Sequence, residues 1–207
     1  GQALEAWDAG QDLLPDDGST LRAALVAPRI LSDVGARAVL QRDLRGRLDA
    51  ILASGIRITP IAASLDELLL PWADHAFDDA DLFCRLTDVL RAVDHGLEFS
   101  APHVLVGPDD GCRLRVGLIA EQYADPDVGL LALGLAQGLP RDRFEVLVFT
   151  VGRPRDALSE RVAGSGDSVV WLPYDYRSAR DAISDESLDA LLYLDTYGHP
   201  LVTCMAF

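Results

Sequence analysis

The sequence contains no lysine and no asparagine, and all 18 of its basic residues are arginine. A chain without lysine cannot form a Schiff base with a carbonyl substrate, and it cannot place a P-loop lysine on a nucleotide phosphate. Both missing amino acids are encoded by AT-rich codons, so their absence suggests a bacterial genome of high GC content. These two classes of lysine chemistry are therefore excluded for this chain.

Positive charge is scarce as well, since 33 acidic residues give a net charge of -15. Nucleic acids and anionic membranes both bind basic surfaces, so we predict neither as a partner. The sequence has no run of 18 apolar residues, and its start lacks the basic and then apolar pattern of a signal peptide. We therefore predict a soluble, cytoplasmic protein.

The cysteines and histidines are few and scattered. Cys84, Cys112 and Cys204 form no CxxC pair, which indicates separate buried thiols. The histidines are scattered along the sequence, and none has a neighbour at the spacing of metal ligands. They are His75, His95, His103 and His199. We predict no metal site and no cofactor.

Several catalytic and nucleotide-binding motifs are also absent. No G-x-G-x-x-G, G-x-S-x-G or H-E-x-x-H occurs in the chain. The loop that follows the first predicted strand reads A-E-Q-Y-A-D-P-D-V-G, which is acidic where a pyrophosphate needs bare backbone amides. This part of the chain is therefore not predicted to bind a nucleotide.

The most regular stretch runs from Arg113 to Thr150. A short apolar strand is followed by a polar loop, by a segment with helical periodicity and by a second apolar strand, which is the pattern of a βαβ unit. Further strands are predicted at Ser168 to Leu172 and at Leu188 to Leu194, each preceded by a helix. Alternating strands and helices predict an α/β fold with a parallel, Rossmann-like sheet.

The first hundred residues show mainly helical patterns. Ser32 or Asp33 can cap a long helix that ends at Gly55, and Ser64 with Glu67 has the form of a capping box. We predict a helical segment over residues 1–100 and a Rossmann-like domain over residues 101–207. Because the last residues are apolar and have no polar tail, we expect the natural protein to continue beyond Phe207.

Ligands of open α/β sheets bind at the carboxyl edge, so candidate site residues were sought in the loops that follow the strands. Carboxylates, tyrosines and one histidine there suit a sugar or another polar acceptor. The candidates for substrate binding are Glu121, Gln122, Tyr123, Asp125, Asp127, Asp195, Thr196 and Tyr197. Asp125 and Asp127 can instead cap the next helix, and Asp195 can order its own turn. His199 is a candidate general base or a turn residue before Pro200.

Two segments carry a resemblance to a known family. RLRVGLIAEQYADPDVGLLALGLAQGLPRDRFEVLVFT and LDALLYLDTYGHP resemble the start of the catalytic region of bacterial protein O-linked N-acetylglucosamine transferase-like enzymes. DADLFCRLTDVLRAVDHGLEFSAPHV resembles the helical segment that joins the catalytic region of those proteins to tetratricopeptide repeats. The resemblance covers roughly residues 78 to 207, and its most characteristic part is a strand followed by D-R-F-E-V.

The resemblance implies a GT-B glycosyltransferase that moves a sugar, N-acetylglucosamine or a related one, from a nucleotide-sugar donor to a Ser or Thr hydroxyl of an acceptor protein. This chain would then hold the helical connector and the N-terminal lobe, whereas a C-terminal lobe beyond Phe207 would bind most of the donor. The fragment alone would be inactive. His199 matches a Gly-His pair of the relatives, and Pro126 stands where relatives commonly have a histidine.

A non-catalytic alternative stays open at this point. A helical and Rossmann-like module could bind a partner protein without turning over a substrate. An intact C-terminal lobe with basic phosphate contacts would favour the enzyme, and a natural stop near Phe207 would favour the binding module.

Overall fold

The computed structural model describes residues 16–65, 69, 71–72, 80–105, 113–121, 123–154, 156–196 and 199–206. Two compact units make up the chain, and the boundary between them lies at Glu98 and Phe99. The part of the predicted helical segment that precedes residue 16 lies outside the described residues.

The first unit is built from helices. They are α1 (Asp17–Leu25), α2 (Val34–Ser54), α3 (Ala62–Leu65) and α4 (Ala80–Val93), followed by a 3-10 turn at His95–Leu97. The Asp33 side chain accepts a hydrogen bond from the Ala36 amide at 2.9 Å and so caps α2. Gly55 ends this helix with φ of 67°, a left-handed conformation that glycine adopts without strain.

The capping role predicted for Ser64 is wrong. Ser64 lies inside α3, which begins at Ala62, and its amide donates to the carbonyl of Ile61. Both Ile61 and Ser64 are buried, so the chain turns into the helix before the serine. The helix therefore starts next to the buried Ile61, and not at the Ser64 capping signal.

Two buried polar contacts tie loops of the first unit to its core. The indole Nε1 of Trp72 donates to the Leu25 carbonyl at 2.7 Å, although the ring itself is fully buried. Asp94, also buried, accepts from the amides of Ile61 and Gly96 through its two carboxylate oxygens. Both of these buried polar groups thus have hydrogen-bond partners.

The second unit alternates strands and helices. Its elements are β1 (Leu114–Ala120), α5 (Pro126–Gly138), β2 (Phe144–Val151), α6 (Ala157–Ala163), β3 (Ser168–Leu172), α7 (Tyr176–Asp185), β4 (Ala190–Tyr193) and α8 (Pro200–Met205), with a 3-10 turn at Pro102–Leu105 before β1. The four strands form one sheet in the order β3-β2-β1-β4. Every neighbouring pair is parallel, which confirms the predicted α/β, Rossmann-like sheet.

β4 is shorter than the sequence predicts. The strand starts at Ala190 because the Asp189 carboxylate, and not a backbone carbonyl, accepts the amide of Arg115 at 2.7 Å. At the other end the Leu194 amide still donates to Ile119, one residue beyond the strand proper. The carboxyl end of β4 is therefore fixed beside the end of β1.

The strand order creates a switch point between β1 and β4. The chain moves outward from β1 to β2 and β3, and it then crosses to the opposite side of β1 to form β4. Loops that leave such neighbouring strands in opposite directions open a crevice at the carboxyl edge, where open α/β sheets bind their ligands. Here the crevice is bordered by residues that follow Ala120 and Tyr193.

Candidate functional site

The loops after β1 and β4 are joined by one carboxylate. The backbone amide of Glu121 donates to Asp195, at 2.9 Å from Oδ2 and 3.2 Å from Oδ1. The Asp195 side chain is only 7% exposed, so this contact is shielded from solvent. Asp195 therefore fixes the backbone of Glu121 beside the end of β4.

His199 lies between two carboxylates. Its Nδ1 is 4.0 Å from Oε2 of Glu121, and its Nε2 is 3.8 Å from Oδ2 of Asp195. His199 occupies the N-cap position of α8, but its side chain makes no capping hydrogen bond there. The imidazole is thus directed at the carboxylates and not at the helix end.

Glu121 is the electrostatically unusual member of this cluster. Burial raises the pKa of its carboxyl group, and the nearby charge of His199 offsets this only in part. Oε2 of Glu121 is buried and has no hydrogen-bond partner among the described residues. A carboxylate left in this state is costly to the fold, and such groups occur preferentially at functional sites.

A threonine in α8 holds the turn that carries His199. The Thr203 hydroxyl lies within hydrogen-bond distance of the Thr196 carbonyl and 3.0 Å from the His199 carbonyl. Thr203 is buried, so these contacts are protected from water. Thr196 therefore contributes its backbone to the turn, while the nearby candidate Tyr197 lies outside the described residues.

The structure places Tyr123 in the interior of the sheet. Its side chain is 2% exposed, and its hydroxyl lies 2.9 Å from the Leu118 carbonyl and 3.0 Å from the Phe149 carbonyl. Burial raises the pKa of this phenol, and the charge of Asp195 raises it further. The hydroxyl thus links β1 to β2 and is not presented to a ligand.

The remaining acidic candidates lie at the start of α5. Asp125 is the N-cap residue, and its Oδ1 accepts the Asp127 amide at 2.9 Å. Both side chains are exposed, and Pro126 occupies the first helical position, where its missing amide costs nothing. Asp125 therefore caps α5, which is one of the two roles that the sequence allowed. The other candidate of this loop, Gln122, lies outside the described residues.

A separate pocket of about 180 Å³ opens on the other side of the β1 loop. Its wall comes from the loops after β1, β2 and β3 together with the start of α6. The lining residues are Glu121, Tyr123, Ala124, Thr150, Val151, Arg153, Pro154, Ser159 and Tyr174. Glu121 is shared between this pocket and the His199 cluster.

Sequence reasoning missed most of this pocket. The predicted site did not include Gly152, Arg153 or Pro154. Arg153 could have been found because it lies two residues after a buried strand, at the carboxyl edge of the sheet. Of the loop after β3, Asp175 caps α7 by accepting the Ser178 amide, and Tyr176 is buried.

Neither a metal cluster nor a membrane span is found in the described ranges. No group of three or more His, Cys, Asp or Glu side chains is arranged to hold a metal ion there. Among the same residues, every helix is too short or too polar to cross a bilayer.

The comparisons with known proteins include a structural likeness to a solved enzyme. A scan against protein-family models finds no match, and a search of curated proteins finds none either. A solved structure of a mutant O-GlcNAc transferase from Thermobaculum terrenum aligns with a TM-score of 0.40 and 18% sequence identity. The alignment covers 96% of this chain and 44% of that one, so this chain spans less than half the length of the aligned protein.

Proposed function

We propose that this chain is part of a glycosyltransferase that moves a sugar from a nucleotide-sugar donor to a hydroxyl group of an acceptor protein. In this proposal residues 1–100 are the helical connector and residues 101–207 are the N-terminal lobe of a GT-B enzyme. The observation that carries the proposal is the placement of His199 between Glu121 and Asp195 at the switch point of a parallel sheet. The sequence likeness of residues 78 to 207 supports the same reading.

The cluster suits removal of a proton from an acceptor hydroxyl. As the hydroxyl oxygen attacks the anomeric carbon, the bond from that carbon to the nucleoside diphosphate breaks and the hydroxyl proton passes to His199. A histidine is suited to this step because its ordinary pKa lies near neutrality. The carboxylates of Glu121 and Asp195, which lie 4.0 Å and 3.8 Å from the ring nitrogens, would stabilise the imidazolium that forms.

The donor would be bound elsewhere. The loop after β1 carries Glu121, Asp125 and Asp127, and a diphosphate approaching it would meet negative charge. No glycine-rich phosphate loop follows β1, and no lysine is available anywhere in the sequence. The proposal therefore assigns acceptor binding and proton transfer to this lobe, and donor binding to a C-terminal lobe.

The test is transfer by the full-length protein. It should be incubated with a lysate of a strain that lacks its gene and with nucleotide sugars radiolabelled in the sugar, uridine diphosphate N-acetylglucosamine first. We expect label to become attached to protein and to be released by mild base, as Ser- and Thr-linked sugars are. Failure to transfer from uridine, guanosine, thymidine and cytidine nucleotide sugars alike would reject the enzyme and favour a non-catalytic protein-binding module.

A further inference from the structure

The pocket of about 180 Å³ has its own set of polar groups, distinct from those that face His199. It lies among the loops after β1, β2 and β3, whereas His199 follows β4 on the opposite side of β1. Glu121 is the residue the two places have in common. A ligand in this pocket would therefore sit next to the proposed catalytic cluster without occupying it.

The two oxygens of Glu121 have different surroundings. Oε2 is buried on the side of His199. Oε1 accepts no hydrogen bond from any residue that the structure describes, and the side chain is 20% exposed. The oxygen that a ligand can reach is therefore Oε1, and a ligand that donates a hydrogen bond to it would satisfy a partly desolvated carboxylate.

A donor group lines another wall of the same pocket. Arg153 is exposed, and no carboxylate of the described ranges lies within ion-pair distance of its guanidinium group. The pocket thus offers a strong acceptor and several N–H donors together. An anion would be repelled by Glu121, and a cation would be repelled by Arg153.

The size and lining of the pocket further limit the kinds of ligand that it can bind. The pocket is smaller than the roughly 300 to 1,000 Å³ typical of sites for drug-sized ligands. At its rim the Tyr174 side chain is 64% exposed, and an aromatic face there can pack on the C–H face of a small ring. The Thr150 side chain adds a hydroxyl to the lining.

We propose that this pocket binds a small neutral ligand with neighbouring hydroxyl groups, the size of a single sugar or polyol ring. Glu121 accepts from one hydroxyl group of the ligand, and Arg153 donates to an adjacent one. The site extends the proposed function, because a ligand held on Oε1 of Glu121 lies beside the group that faces His199. Its existence does not require that His199 be catalytic.

The experiment is an NMR titration of the 207-residue chain with glucose, with methylguanidinium and inorganic phosphate as the cationic and anionic probes. We expect glucose to give saturable shifts at the amides of Ala124, Gly152 and Arg153, with a dissociation constant on the order of millimolar. Methylguanidinium and phosphate should give none at these amides. Saturable binding of either charged probe there, or no saturable shift with glucose up to roughly 100 mM, would overturn the proposal.

Variants distinguish a direct contact of Glu121 with the ligand from a general effect of charge on binding. Glu121→Ala should weaken glucose binding by roughly tenfold or more, and Glu121→Gln, which keeps an acceptor oxygen, by less. Asp142→Asn removes an exposed carboxylate from the turn before β2, at the opposite edge of the sheet, and should leave binding within twofold, an order-of-magnitude allowance for a distant charge. If Glu121→Ala is poorly folded, the glucose affinity of Glu121→Gln is the deciding measurement. An unchanged glucose affinity in Glu121→Gln would contradict the proposal that Glu121 binds the ligand. These titrations do not measure sugar transfer. A negative result would therefore reject the sugar-binding pocket but not the proposed transferase activity, which is tested by labelling of acceptor proteins.

Discussion

Glu121 offers a sharp test of the electrostatics at the switch point, because its ionised side chain should destabilise the fold. Burial raises its pKa, so the native state keeps a proton to higher pH than the unfolded chain does. The stability contributed by this group is therefore present below the ordinary glutamate pKa and is lost as pH rises through the raised value. Above the raised pKa the native protein carries a buried carboxylate oxygen that has no donor among the described residues.

Glu121→Gln removes that charge and keeps the shape. An unsatisfied buried polar group costs about 1 to 3 kcal/mol, and more when it is charged, while the amide retains part of this cost. We expect the variant to be more stable by about 1 kcal/mol at pH 8, equivalent to a rise of roughly 4 to 8 °C in the melting temperature of a unit of this size. Below the ordinary glutamate pKa the gain should shrink toward zero, because the native carboxyl, whose pKa is raised, is then protonated.

Native-state hydrogen exchange of the β1 and β2 amides is the appropriate assay, since it reports on residues 99–206 separately from the helical unit. Asp142→Asn is the matched control because Asp142 is exposed. It should change stability by less than about 0.5 kcal/mol at either pH. A Glu121→Gln variant that is less stable than the parent at pH 8, or whose gain does not depend on pH, would refute the reasoning.

Three further predictions concern packing and the donor. Tyr123→Phe leaves two buried strand carbonyls without their hydroxyl donor and should cost about 1 to 3 kcal/mol in urea unfolding; a cost below about 0.5 kcal/mol would show that the link between β1 and β2 is unimportant. Gly129→Ala should destabilise by about 1 to 3 kcal/mol because the new Cβ would lie 2.3 Å from the Tyr123 carbonyl oxygen, whereas Gly134→Ala, with nothing within 4 Å, should stabilise α5 by up to about 1 kcal/mol; equal thermal melts would contradict the close contact. Calorimetry of the 207-residue chain with uridine diphosphate sugars should detect no tight binding, and a dissociation constant in the low micromolar range, about -8 kcal/mol, would contradict the assignment of the donor to another lobe.

The sheet could be predicted because its information is local. Mostly apolar runs such as Phe144–Val151 mark buried parallel strands, and the helical periodicity between them indicates crossover connections. Ser64 shows where local signals fail, since a nearby buried isoleucine fixed the helix start. The start of β4 is a second case, because the side chain of Asp189 replaces a backbone acceptor that no local pattern reveals.

Part of the candidate site could be predicted from the order of the strands, and the rest depends on contacts between residues that are distant in the sequence. Parallel strands end at the same edge, so the approach of Glu121 to His199 was foreseeable. The interior position of Tyr123 was not, because its hydroxyl reaches carbonyls of two different strands. The pocket around Arg153 needs three loops that are separated in sequence, and their packing is absent from any single motif.

The most direct test of the central claim is turnover of the full-length protein with His199 replaced by alanine. A general base contributes on the order of 10²- to 10⁴-fold in rate, so His199→Ala should lower kcat by at least roughly a hundredfold while thermal melting shows an intact fold. His95→Ala, which changes an exposed histidine of the helical unit, is the control and should retain parental turnover. A loss of less than about tenfold in the His199→Ala variant would contradict a catalytic role and leave His199 as a turn residue before Pro200.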